Sequence, residues 1–88
     1  MATFPTEFSS KAAKYIKRLD GITKKRIEEK VSKLEENPFP QEVERVESFE
    51  GEKVFRVRAG DQRILYMVRY NPNRLIIAKV DKRSRVYG

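Results

Sequence analysis

The chain has 88 residues, with 20 lysines and arginines against 13 aspartates and glutamates, a net charge of +7. It has no cysteine and no histidine, which excludes disulfides, thiolate nucleophiles, serine–histidine pairs and the commonest zinc ligand, and with them most enzyme classes. A chain of this size makes one small domain, residues 1–88, burying about two-thirds of its unfolded surface, and its charge calls for an anionic partner, nucleic acid or an acidic protein.

The N-terminus, Met1-Ala2-Thr3-Phe4-Pro5, has no cationic run followed by an apolar core, so no secretory signal is expected. No apolar stretch approaches the roughly 20 residues of a membrane span. The chain therefore reads as soluble and cytoplasmic, with no membrane partner. Thr3-Phe4 is a candidate edge strand. Residues 6–19 follow helical spacing, with Phe8, Ala12, Tyr15, Ile16 and Leu19 on one face. Thr6 is its candidate N-cap and Asp20-Gly21 its stop. A second helix runs from about Ile22 to Glu36 on a narrower stripe of Ile27, Val31 and Leu34, and Pro38 ends it. The short connection makes the pair an antiparallel hairpin. Asn37-Pro38-Phe39-Pro40 then divides a helical half from a strand half.

From about Val46 the period changes to two. Gly60-Asp61 suits a two-residue hairpin turn, followed by a strand over 63–70, a turn at Asn71-Pro72-Asn73 and a strand over 74–80. These turns set a register. Arg58 falls opposite Arg63, Val57 opposite Ile64 and Phe55 opposite Tyr66; on the next pair, Tyr66 falls opposite Ala78 and Val68 opposite Ile76. One face then carries Phe55, Val57, Ile64, Tyr66, Val68, Ile76, Ala78 and Val80 toward the helices. The other carries Arg56, Arg58, Arg63, Leu65, Met67, Ile77 and Lys79. A slip of one residue would invert a strand, so agreement between independent alternations supports this topology. The expected fold is α+β, a helical hairpin on one face of a curled, mainly antiparallel sheet with a short N-terminal strand.

Residues 1–44 hold nine basic and eight acidic residues, a net of +1, which reads as ordinary mixed-sign helix surface. Residues 45–88 hold eleven basic and five acidic, a net of +6. Like charges directly opposite on a sheet are destabilising, so Arg58 and Arg63 with Arg56 nearby make sense around a bound anion. The alternative is that they are solvated or paired with Asp61 and Asp81. The chain ends in Lys79-Val80-Asp81-Lys82-Arg83-Ser84-Arg85-Val86-Tyr87-Gly88, a run that joins phosphate-binding cations to an aromatic ring suited to base stacking. Taken alone, such a run is equally a solvated tail.

In element order, and in the segments Val54-Phe55-Arg56-Val57-Arg58, Gly60-Asp61-Gln62-Arg63-Ile64-Leu65-Tyr66 and Lys82-Arg83-Ser84-Arg85-Val86-Tyr87, the chain resembles the RelE/ParE toxin superfamily, most closely archaeal-type RelE toxins. The resemblance covers nearly all 88 residues. It implies the toxin of a type II toxin–antitoxin system, a ribosome-dependent mRNA endoribonuclease that needs no metal or cofactor. In that chemistry the 2′-hydroxyl attacks the adjacent 3′-phosphate and leaves a 2′,3′-cyclic end. Cations around a phosphorane that gains negative charge are what the reaction asks of the protein, and the composition supplies them.

Residue by residue, the resemblance gives Arg63 the scissile phosphate, Arg83 the leaving 5′-oxygen, and Tyr87 base stacking and assistance to the 2′-hydroxyl. Two residues found between Arg83 and Ser84 in some members are absent, which leaves Arg85 to share or replace the role of Arg83. Arg56 and Arg58 stand where bacterial members often have lysine, and arginine effectively cannot lose its proton. The general base is thus Tyr87 or Lys79, or proton removal contributes little. Arg56, Arg58, Lys79 and Lys82 are the candidate RNA-binding residues. With only Gly88 beyond Tyr87, no further helix is expected. Leu65, Met67, Leu75 and Ile77 are expected as an apolar strip away from the helices, covered either by the chain's own termini or by a partner, for which an acidic, amphipathic antitoxin segment is suited. The ribosome and mRNA complete the implied partners. Two other readings stay open: a ParE-like inhibitor of DNA gyrase, and an inactive relative that only binds RNA or antitoxin.

Overall fold

Pro5 keeps the N-terminal segment extended, and the sheet uses it. In the computed structural model, which describes residues 3–49 and 52–82, the Pro5 carbonyl accepts from the Leu75 N–H at 2.9 Å. Thr6–Phe8 forms strand β1, and helix α1 spans Ser10–Lys17. The expected helix start at Thr6 therefore moves to Ser9, whose extended backbone (φ −64°, ψ 160°) and side chain cap α1 by accepting from the Ala12 N–H. The expected edge strand at Thr3-Phe4 likewise falls three residues later. Parallel pairing with the last strand outweighs the helical spacing of Phe8, which is left 44% exposed.

Helix α2 spans Gly21–Glu36. Asp20, expected as a stop, begins it, its carboxylate accepting from the Thr23 N–H at 2.9 Å. The remaining strands are β2 (Glu44–Phe49), β3 (Glu52–Ala59), β4 (Gln62–Arg69) and β5 (Arg74–Lys82). Together they form a five-stranded sheet of order β1-β5-β4-β3-β2, in which β1 is parallel to β5 and the other neighbours are antiparallel.

The β3–β4 register is the expected one: Arg58 faces Arg63, Val57 faces Ile64 and Phe55 faces Tyr66. Gly60 turns the chain at φ +66°, a conformation that favours glycine. The β4–β5 register departs from expectation. Leu65 pairs with Lys79, yet Tyr66 pairs with Ile77. Ala78 is thus the extra residue of a bulge, which shifts the parity of every β5 residue before it. Leu75 and Ile77 face the helices, both fully buried, while Ile76 pairs with Met67 on the other face.

The core lies between the helices and this inner face. It holds Ala12, Ile27, Val31 and Leu34 from the helices and Val57, Ile64, Tyr66, Leu75, Ile77 and Val80 from the sheet. The Tyr66 hydroxyl donates to the Pro38 carbonyl at 2.6 Å, and burial raises its pKa above the ordinary tyrosine value. No described helix is long and apolar enough to cross a membrane.

Candidate nucleic-acid interface

The outer face of the sheet is built by alternation. Arg56 and Arg58 on β3, Arg63 and Leu65 on β4, and Lys79 and Asp81 on β5 all point away from the core. They form two adjoining cross-strand rows. One runs Arg58, Arg63, Asp81; the other runs Glu44, Arg56, Leu65, Lys79. The expected cluster of Arg56, Arg58, Arg63 and Lys79 is therefore brought together.

Carboxylates fix most of these cations. Asp81 takes Arg63 in a fork, with Nε donating at 2.9 Å and Nη2 at 3.2 Å, and its Oδ2 lies 3.6 Å from Lys79 Nζ. Such bidentate geometry orders a guanidinium in a way one contact does not. Arg56 donates twice to Glu44 Oε1, at 3.0 and 2.6 Å. That hydrogen bonding, then the Arg56 charge and more weakly Arg58, hold the Glu44 carboxyl below the usual glutamate value. Asp81 was legible as a partner from its place near Arg63. Glu44 was not, because β2 has no strong alternation to give its register. Arg58 is exposed and makes no ion pair among the described residues. Glu42, Glu44, Arg56 and Arg58 line a cleft of about 300 Å³ at this end of the sheet.

Beneath the site, Gln62 is 4% exposed and accepts from the Tyr15 hydroxyl at 2.7 Å, which ties α1 to the residue before Arg63. Burial raises the Tyr15 pKa. Lys82 stands apart from the outer-face group: it pairs across the ladder with Gln62, at the strand's end, and its Nζ lies 3.8 Å from Asp61. Arg83, Arg85 and Tyr87 lie outside the described residues.

The apolar strip needs correction. Leu75 and Ile77 are buried under the helices because of the Ala78 bulge and cannot contact a partner. Leu65 and Met67 are partly exposed on the outer face, and Ile76 joins them. Val54 belongs to the same face by its alternation with Phe55, yet is only 3% exposed. At the far end, Arg69 and Arg74 are cross-strand neighbours, paired with Glu52 at 2.5 Å and Glu7 at 3.7 Å.

Residues 6–87 match the family described as the ParE toxin of the type II toxin–antitoxin system parDE. The chain belongs to that toxin family. It is also 31% identical over 85 residues to the RelE1 protein of Methanocaldococcus jannaschii, across 96% of this chain and 94% of that one. Among solved structures it resembles the toxin of the archaeal RelE–RelB complex from Pyrococcus horikoshii, with a TM-score of 0.80 and 26% identity over 96% of this chain and 99% of that one. The isolated E. coli RelE toxin shares the fold at a TM-score of 0.73 and 20% identity, over 96% of this chain and 90% of that one. Within the RelE/ParE superfamily, the chain is of the archaeal RelE type.

Proposed function

We propose that this toxin is a ribosome-dependent mRNA endoribonuclease acting through the outer sheet face. The observation that carries the reading is the Asp81–Arg63 fork set directly opposite Arg58. Asp81 offsets part of the repulsion between two guanidinium groups on one cross-strand row, and a phosphate between them offsets more. The repulsion is relieved most when that phosphate gains charge, as in the phosphorane, so the arrangement favours the transition state over the ground state.

In the reaction the 2′-oxygen bonds to phosphorus and gives up its proton, the bond to the 5′-oxygen breaks, and that oxygen takes a proton as it leaves. No water is consumed, and the product ends are a 2′,3′-cyclic phosphate and a 5′-hydroxyl. Arg63 and Arg58 hold the phosphate, with Arg56 and Lys79 along the adjoining row. Following the family resemblance, Arg83 or Arg85 serves the leaving oxygen and Tyr87 stacks on a base. No metal or cofactor enters these steps. Lys82 contacts flanking RNA.

The same face suits an acidic antitoxin, covering Leu65, Met67 and Ile76 while neutralising the arginines; the Pyrococcus horikoshii relative was solved with its RelB. The family description as a ParE toxin favours a second reading, inhibition of DNA gyrase. A paired assay separates the two. Purified protein is expected to cleave message on translating ribosomes and leave gyrase supercoiling unaffected. Arg63→Ala is expected to slow cleavage by about 10²–10³, as for loss of one positioned donor to developing charge. Intact message with blocked supercoiling would establish the gyrase reading instead.

A further inference from the structure

The net charge of +1 over the first 44 residues conceals a strong separation. Residues 10–26 carry seven basic residues and one acid, whereas residues 27–44 carry two basic and six acidic. On α1 the basic residues form a stripe. Lys11, Lys14 and the C-cap Arg18 recur at three and four residues, along the edge of the packed Ala12, Tyr15, Ile16 and Leu19, and all three are exposed. No carboxylate lies within ion-pair distance of any of them among the described residues.

Helix electrostatics accounts for part of this. Cations suit the C-terminal end of α1, where Lys14 and Lys17 lie in the last turn. It does not account for Lys11, a cation in a first turn that has no acid. That position is electrostatically unfavourable in the free protein, so the stripe is better explained by a partner than by the helix.

We infer that the α1 stripe of Lys11, Lys14 and Arg18 is a second RNA contact, binding the phosphate backbone of a structured, duplex RNA while the sheet face holds the single strand. The choice of RNA rests in part on the reading of the sheet face given above. The chemistry of the stripe agrees with it. Protein partners anchor on desolvated Trp, Tyr and Arg side chains in pockets, and of these the stripe offers Arg18 alone, on an exposed surface. A membrane surface takes an amphipathic helix through its apolar side, and that side of α1 is committed to the core. Exposed cations with no carboxylate partner among the described residues suit closely spaced phosphates. The Tyr15–Gln62 hydrogen bond joins α1 to the residue before Arg63, so one RNA-bound body can present both surfaces, as an RNA-rich particle such as the ribosome requires.

The test measures binding of the full chain to a labelled RNA duplex of roughly 16–20 base pairs and arbitrary sequence across a salt series. The triple variant Lys11→Gln, Lys14→Gln, Arg18→Gln is expected to reduce the log–log salt slope by about 3, one per phosphate contact. Its binding near 0.1 M salt is expected to weaken by at least about tenfold. Its melting temperature is expected to match the parent, since the three side chains are exposed and make no ion pair among the described residues. An unchanged slope in the folded variant overturns the inference. So does an unchanged slope with lost binding to phosphatidylglycerol vesicles or to an acidic antitoxin, which would assign the stripe to that partner. Parent protein that leaves message intact, yet shows the stripe-dependent slope, supports this inference and overturns the cleavage reading alone.

Discussion

The two basic surfaces of this toxin are built on opposite plans. On the sheet, Arg56, Arg63, Arg69, Arg74, Lys79 and Lys82 each lie within ion-pair distance of a carboxylate, and Arg58 is the outer-face cation without one among the described residues. On α1 and its C-cap, Lys11, Lys14 and Arg18 have none among the described residues. Surface pairs of this kind add little to stability. Their effect is on geometry: a forked guanidinium is oriented before substrate arrives, at the cost of part of its charge. The unpaired cations of α1 are the reverse, strong in long-range attraction and weakly oriented. Under the proposed function, the oriented cations of the sheet would serve the chemistry, with Arg58 beside them, and the cations of α1 would serve capture of the polyanion, a division that net charge hides.

The comparison depends on which side chains face out, so the largest expected effect tests the sheet's parity. Ile77 is fully buried, and Ile77→Ala is expected to destabilise the protein by about 2–5 kcal/mol in chemical denaturation. Met67→Ala, on the outer face, should cost well under half of that and weaken antitoxin binding instead. Equal losses at the two positions would mean that the outer face is packed as tightly as the core, and it could not then serve as an open RNA platform.

Parity was also where the sequence was hardest to read. The β3–β4 pairing was legible because Gly60-Asp61 is a two-residue turn, and the alternation of Val54 to Arg58 continues through it without interruption. The arginine cluster followed from that register. On β5 the run Leu75-Ile76-Ile77-Ala78 is apolar at every position, so alternation cannot choose a face, and a bulge leaves no composition signal. Ala78 is the extra residue and not a core position, so Leu75 and Ile77 turn inward where strict alternation would set them outside. The N-terminal segment departs from its local pattern for a related reason. The helical spacing of Phe8 is real, but the open edge of β5 competes for Thr6–Phe8, and backbone pairing there is a tertiary effect that local pattern does not carry. The separation of charge within the helices is present in the sequence, but the acidic residues of 27–44 cancel the basic ones of 10–26 in the net charge of that half.

Orientation of the sheet cations gives the next prediction. Asp81→Asn weakens the fork on Arg63 and removes the charge beside Lys79. If pairing exists to orient, the variant binds RNA more tightly, having lost a negative charge, and still cleaves about tenfold more slowly, because misplacing one positioned group costs at least that much. Single-turnover cleavage and a salt series on the same variant separate these effects. Faster cleavage would show that Asp81 only suppresses charge, and the contrast between the two surfaces would then be one of strength alone.

The smallest effect tests the seam between the two surfaces. Ser9 Oγ accepts from the Ala12 N–H at 3.0 Å and donates to the Ala78 carbonyl at 2.7 Å. One hydroxyl thus starts the basic helix and holds the bulge that sets the parity of β5. Ser9→Ala loses both bonds and is expected to cost about 1 kcal/mol, lowering the melting temperature by about 4–8 °C for a domain of this size. Ser9→Asp separates the two roles. Aspartate caps a helix about as well as serine, and its carboxylate complements the helix dipole, but it cannot donate to Ala78. If the contact to the bulge matters, Ser9→Asp falls between serine and alanine, because a carboxylate facing a carbonyl oxygen is repelled. If it melts with the parent, backbone pairing alone holds the bulge, and the orientation of the sheet cations is independent of where α1 begins.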